Sequence, residues 1–89
     1  MSELFANLKI IGSDTCKGCQ ELKDELENFY ADEVHFKYKT FKSLPTEERT
    51  EIRNFLNAEG LHLPVIQLGN GSYFKGHTDK FLIELRNEL

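Results

Sequence analysis

The chain has few cysteines, no long apolar run and no surplus of positive charge, and each shortage excludes a class of protein. Cysteine occurs only twice in 89 residues, so no framework of several disulfides holds the fold together. Apolar residues make up 39% of the chain, and seven Phe with three Tyr give enough bulk for one modest core instead. Eleven basic residues stand against fifteen acidic ones, for a net charge of −4. A nucleic-acid binder normally carries a basic stripe. The cluster Lys37, Lys39 and Lys42 is small and reads as the solvated face of a strand and its following turn. The longest stretch free of Lys, Arg, Asp and Glu runs from Gly60 to Phe74 and is interrupted by Pro64, Gly69, Asn70 and Gly71. It is shorter than the ~20 apolar residues a spanning helix requires, so no membrane partner is expected. The opening MSELFANLKIIG has an acid at Glu3, no basic leader and no small-residue cleavage site, and is not expected to be a secretory signal. Two cysteines without an export signal predict a reducing, cytoplasmic location.

What is present is an alternation of strand and helix patterns, expected to form a single domain over residues 1–89. Leu8 to Ile11 reads as a buried strand closed by Gly12. A Gly12-Ser13-Asp14-Thr15 loop follows, with the Thr15 hydroxyl placed to cap a helix starting at Cys16. That helix runs to about Tyr30, with Cys19, Leu22, Leu26 and Phe29 inward and Glu21, Lys23, Asp24, Glu25 and Glu27 outward. Val34 to Phe41 alternates, with Val34, Phe36 and Tyr38 on one side and His35, Lys37 and Lys39 on the other. After the break at Ser43 to Thr46, a second helix carries Ile52, Phe55 and Leu56 as its stripe and stops at Gly60. Val65 to Leu68 is a third strand, Gly69 to Ser72 a hairpin turn, and Tyr73 to Lys75 the returning fourth strand. A last helix, capped by Thr78 or Asp79, turns Phe81, Leu82, Leu85 and Leu89 inward. The expected class is α/β: a mixed four-stranded sheet flanked by three helices in the order β-α-β-α-β-β-α.

With a Cys-x-x-Cys at the first strand-to-helix turn and a proline opening the third strand, the chain resembles the thioredoxin superfamily, and its length makes it similar to a glutaredoxin. TCKGC (Thr15 to Cys19) and LPVIQL (Leu63 to Leu68) carry the resemblance, with Pro64 forty-five residues after Cys19. It implies a thioredoxin-like fold and a cis Leu63–Pro64 bond. It also implies that the Leu63 main chain binds an extended thiol substrate and that Pro64 faces Cys16. By the same resemblance, a ribonucleotide reductase or a peroxidase is a possible substrate.

The chemistry of the pair follows from elementary considerations. Disulfide exchange needs one thiolate that attacks and a second thiol that resolves the mixed disulfide. Cys16 at a helix start meets unpaired N–H groups and the positive dipole end, with Lys17 beside it, so its anion is favoured. Cys19 lies one turn further on, facing the sheet, and Gly18 leaves the approach open. Cys16 is therefore the expected nucleophile and Cys19 the resolver. Half of a zinc site is a competing reading, but His35, His62 and His77 stand singly and no second cysteine pair exists. Simple core packing of the two cysteines is another, weakened by their place at a helix start. His62 and His77 are candidates for acid–base helpers at the rim, against the plainer reading as surface or capping residues.

The match to glutathione-using glutaredoxins is partial. Their lysine three residues before the first cysteine is Ser13 here, and their Gly-Gly-x-Asp is replaced by Lys75-Gly76-His77-Thr78-Asp79. Gly76, His77, Thr78 and Asp79 are candidate substrate contacts, and the helix start at His77 and Thr78 could hold a carboxylate through its N–H groups. The expected function is reduction of protein or glutathione mixed disulfides by a monomer with no tightly bound cofactor. Its donor is either glutathione or a flavoprotein reductase. The alternatives are an iron–sulfur-cluster-binding protein using Cys16 and a redox-silent adaptor domain.

Overall fold

The computed structural model describes residues 3–88. A one-turn helix α1 (Glu3–Ala6) leads into β1 (Asn7–Gly12). Then come α2 (Lys17–Phe29), β2 (His35–Thr40), a 3-10 turn (Phe41–Ser43), α3 (Thr46–Glu59), β3 (Val65–Gln67) and α4 (Thr78–Glu88). The sheet order is β2-β1-β3, with β1 parallel to β2 and antiparallel to β3. Among the described residues no helix is long and apolar enough to cross a membrane.

Alternation along the central strand builds a core on each face of the sheet, since successive side chains of a strand point opposite ways. Leu8 and Ile10 of β1 join Leu22 and Leu26 of α2 and Phe81 and Leu85 of α4. Ile11 points the other way and joins Ile52 of α3 together with Leu44 and Val65. Burial of each such side chain stabilises the fold by roughly 1.5–3 kcal/mol. Lys9 shares the α3 face with Ile11 and pairs there with Glu48. Gly60 closes α3 at φ 66°, a left-handed conformation that costs glycine little.

Four sequence expectations need correction. The sheet has three strands, not four. The hairpin turn forms, with Leu68 N–H bonded to the Ser72 carbonyl at 2.8 Å, but the returning arm makes only a single bridge, Gln67 to Tyr73. Phe74 is drawn into the core, where its ring meets Phe81 edge-on at 5.3 Å, and the chain leaves the sheet for α4. Secondly, Phe29 is 72% exposed rather than inward. The buried stripe of α2 continues through Tyr30, whose carbonyl accepts from Val34 N–H at 2.9 Å as the chain turns over the core. Thirdly, β2 ends at Thr40, because Phe41 begins the 3-10 turn. Lastly, a turn of helix, α1, precedes β1 and buries Phe5 against Phe81 at 5.8 Å. Leu89, expected inward, lies outside the described residues.

Leu26→Ala is expected to lower the unfolding free energy by about 2–5 kcal/mol. Phe29→Ala, on the adjoining turn, is expected to change it by less than about 0.5 kcal/mol. Urea unfolding of the two variants checks both, and a large loss from Phe29→Ala would place that ring in the core after all. The Tyr73 ring packs against Phe55, tilted at 44° with centroids 5.2 Å apart, and its hydroxyl donates to Glu51 Oε1 at 3.2 Å. Burial, followed by the Glu51 charge, pushes its phenol from 10.0 up to about 12. The raised value means the fold favours the neutral phenol. Its contribution to stability is whole below pH 10 and is lost as pH rises toward 12. Tyr73→Phe is expected to flatten that alkaline decline in thermal melts.

Candidate functional site

The site begins where β1 ends. Thr15 N–H bonds to Ser13 Oγ at 3.3 Å, the Ser13 and Thr15 hydroxyls lie 3.1 Å apart, and Cys16 N–H reaches the Ser13 carbonyl at 3.1 Å. The Thr15 hydroxyl is thus engaged in its own turn and does not cap α2, contrary to expectation. Cys16 takes that position. Its backbone is extended at φ −91° and ψ 107°, and its Sγ accepts from Cys19 N–H at 3.2 Å. The first turn of α2 contains no acidic residue, so the positive end of the helix faces the Cys16 sulfur unopposed.

Cys16 is half-buried and Cys19 fully buried. Their Cα atoms are 5.3 Å apart and their sulfurs are bonded as a disulfide. Behind Cys19 stands Gly12. A Cβ there would lie 2.8 Å from Cys19 Cβ and 2.9 Å from Cys19 Sγ, and would also collide with the Tyr38 hydroxyl. Only a hydrogen fits. From sequence Gly12 is a strand terminator, and no local pattern signals this close approach of helix and strand. Gly18, by contrast, has open space around its Cα, and Lys17 is exposed.

The Leu63–Pro64 bond is cis, and the Leu63 carbonyl oxygen lies 3.7 Å from Cys16 Sγ. Leu63 lines two clefts, one shared with Gly18 of α2 and one with the β1–α2 loop. One, of about 310 Å³, gathers Gly18, His62, Leu63, Pro64, His77, Thr78 and Asp79. These residues come from three separate parts of the chain, and most were candidates from sequence. His77, rather than Thr78 or Asp79, occupies the cap of α4, because its carbonyl accepts the first helical bond, from Phe81 N–H at 3.1 Å. Gly76 is not part of the lining. A side chain there would meet Phe74 Cε2 at 2.8 Å and Lys80 Cδ at 3.0 Å, which gives that glycine a packing role.

The second cleft, of about 250 Å³, runs along the β1–α2 loop and includes Ser13, Thr40, Phe41, Lys42 and Leu63. A smaller hollow beyond it is lined by Phe41, Arg53, Leu56 and Leu63, with the Arg53 guanidinium 5.8 Å from the Phe41 ring centroid. Lys42 lies 3.8 Å from Asp14, an exposed pair that contributes little to stability. Sequence reasoning missed this side. Phe41 reads as the end of a strand and Lys42 as a solvated charge, and only the 3-10 turn folds both beside the cysteine loop. Among the described residues no group of three or more His, Cys, Asp or Glu is placed to share a metal ion.

No family model matches the chain, and no curated protein does either. Among solved structures it is similar to the glutaredoxin grx-1 from Archaeoglobus fulgidus. The two are 24% identical with a TM-score of 0.57, over 90% of this chain and 85% of that one. The likeness establishes a glutaredoxin-like thioredoxin fold, with the Cys-x-x-Cys pair at the turn from β1 to α2.

In the reduced protein, iodoacetamide is expected to modify Cys16 well before Cys19, because only Cys16 reaches the surface. Peptide mapping reads the order, and earlier labelling of Cys19 would overturn it. Gly12→Ala is expected to cost about 1–3 kcal/mol of stability by overpacking and to slow closure of the disulfide. Thermal melting and stopped-flow oxidation of the reduced protein measure the two effects.

Proposed function

We propose that this chain is a thiol–disulfide oxidoreductase, with Cys16 as nucleophile and Cys19 as resolving thiol. The observation that carries the reading is the Cys16 sulfur, which sits as the cap of α2 and takes a backbone N–H bond, with its partner buried one turn behind. Backbone N–H groups and a helix N-terminus stabilise a thiolate and raise its fraction at neutral pH. The Cys16 thiolate attacks one sulfur of the substrate disulfide. That bond breaks, and the departing thiolate takes the electron pair and then a proton. Cys19, as thiolate, attacks Cys16 Sγ, closes the internal disulfide and releases the second substrate thiol. A dithiol donor, or two monothiols, returns the ring to its reduced form by the reverse exchange.

The Leu63 main chain, beside Cys16, supplies the docking edge for an extended substrate, and the two clefts take the groups on either side of the scissile sulfur. Disulfide-containing proteins fit such open, shallow clefts. Glutathione fits less well. Ser13 brings no cation to the loop, its hydroxyl is held by Thr15, and the nearest lysine of that cleft, Lys42, faces Asp14. Each missing charge-assisted contact is worth about 1.5–3 kcal/mol, or one to two orders of magnitude in affinity. A flavoprotein reductase or another dithiol protein is therefore the favoured donor.

Cys19→Ser is expected to accumulate a mixed disulfide at Cys16, visible as a mass adduct, whereas Cys16→Ser abolishes reduction of a model disulfide. Full activity in Cys16→Ser would sink the reading in favour of a redox-silent domain. Turnover with millimolar glutathione and its reductase is expected to be at least tenfold below that with thioredoxin reductase and NADPH. Ser13→Lys is expected to raise the glutathione rate and leave the protein-donor rate unchanged.

A further inference from the structure

The buried resolving thiol poses a problem that the cap at Cys16 does not solve. Cys19 must carry negative charge when it attacks and again when it leaves, yet it is fully buried, and burial disfavours an anion that lacks a hydrogen-bond donor. Its own N–H is already given to Cys16 Sγ. Among the described residues no fully buried polar side chain accompanies it. One polar atom does face it. The Tyr38 hydroxyl and Cys19 Sγ both crowd Gly12, where a Cβ would lie 2.4 Å from the hydroxyl oxygen and 2.9 Å from the sulfur.

We propose that the Tyr38 hydroxyl donates a hydrogen bond to the Cys19 thiolate whenever the Cys16–Cys19 bond is open, and so sets the rate at which Cys19 resolves mixed disulfides. The proposal rests on the exchange reading above and assigns it a second polar group. Tyr38 lies on β2 opposite Ile10, with its ring against the cluster that α2 covers. Gln20 Nε2 donates to its oxygen at 3.4 Å, which leaves the phenolic proton free to point elsewhere. The charged groups facing it are Lys23 of α2, with Nζ 5.4 Å from the ring centroid, and Asp14 of the loop. Burial and then the Asp14 charge raise the phenol above its ordinary value, so it stays a donor throughout the neutral range. When the disulfide opens, rotation about the Cys19 χ1 turns the freed sulfur toward the hydroxyl over Gly12. In resolution the Cys19 thiolate forms a bond to Cys16 Sγ, the bond from Cys16 to the substrate sulfur breaks, and the electron pair leaves on that sulfur. Tyr38 keeps its proton throughout, and the proton that Cys19 lost passes to solvent.

Stopped-flow reaction of the reduced protein with 5,5′-dithiobis(2-nitrobenzoate) separates the two thiols, since Cys16 attack releases one coloured thiolate and Cys19 resolution the second. Tyr38→Phe is expected to leave the first release unchanged and slow the second about tenfold. Lys23→Met is expected to leave both within about twofold. In a Cys16→Ser background, Tyr38→Phe is expected to move the Cys19 titration midpoint, read from its 13Cβ shift, to higher pH. An unaltered second release with an unmoved midpoint overturns the proposal. So does an equal slowing by Lys23→Met, which would assign the effect to the cation. Slowing of both releases together would mark Tyr38 as merely structural. If the wild-type protein reduces no protein disulfide, the functional reading fails, but the two releases and the midpoint still report on Tyr38.

Discussion

The contact between the end of β1 and the first turn of α2 is the constraint from which the site is built. Helix and strand approach so closely at Gly12 that a methyl group would meet Cys19. That approach buries Cys19 and fixes where α2 starts. With the start fixed, the residue in the cap position is Cys16, and its sulfur becomes the atom that satisfies a free N–H of the helix. Exposure of one sulfur and burial of the other thus have a single geometric cause. A side chain at residue 12 would push the helix away and weaken both.

The wall opposite comes from the other end of the chain's topology. β3 runs antiparallel to β1, so the residues that enter it are carried to the end of the sheet where β1 gives way to α2. Leu63 and Pro64 occupy that entry, and Leu63 separates a cleft roofed by the start of α4 from one bounded by the 3-10 turn after β2. Each cleft therefore draws on segments far apart in sequence. Both clefts are open to solvent.

Much of the frame is legible from residue patterns, because hydrophobic periodicity records which face each element buries. The alternation Phe36, Tyr38 marks the inner face of β2, with Val34 buried just before it, and Gly60 marks the end of α3. Where the patterns mislead, a tertiary contact outweighs a local preference. Tyr73 to Lys75 has the composition of a strand behind a good hairpin turn, yet the arm pairs with β3 only at the Gln67–Tyr73 bridge and through Phe74 N–H to the Ile66 carbonyl at 2.8 Å, while the Phe74 ring packs on Phe81. Phe29 satisfies the helical spacing as well as Tyr30 does. Which of the two turns inward depends on the direction the chain takes after α2.

The sequence by itself determined the alternation from β1 through α2, β2 and α3 to β3, the pairing of two thiols at a helix start, and the proline entering a strand. These are local properties, written in spacings of a few residues. The tertiary structure alone decided that Cys16 rather than Thr15 caps α2, that Gly12 admits no side chain, that Phe41 and Lys42 share a cleft with the β1–α2 loop, and that the Tyr38 hydroxyl and Cys19 both close on Gly12. Those facts depend on distances between residues remote in the chain. Such distances are set by how two helices settle on one sheet, which no short window of sequence encodes.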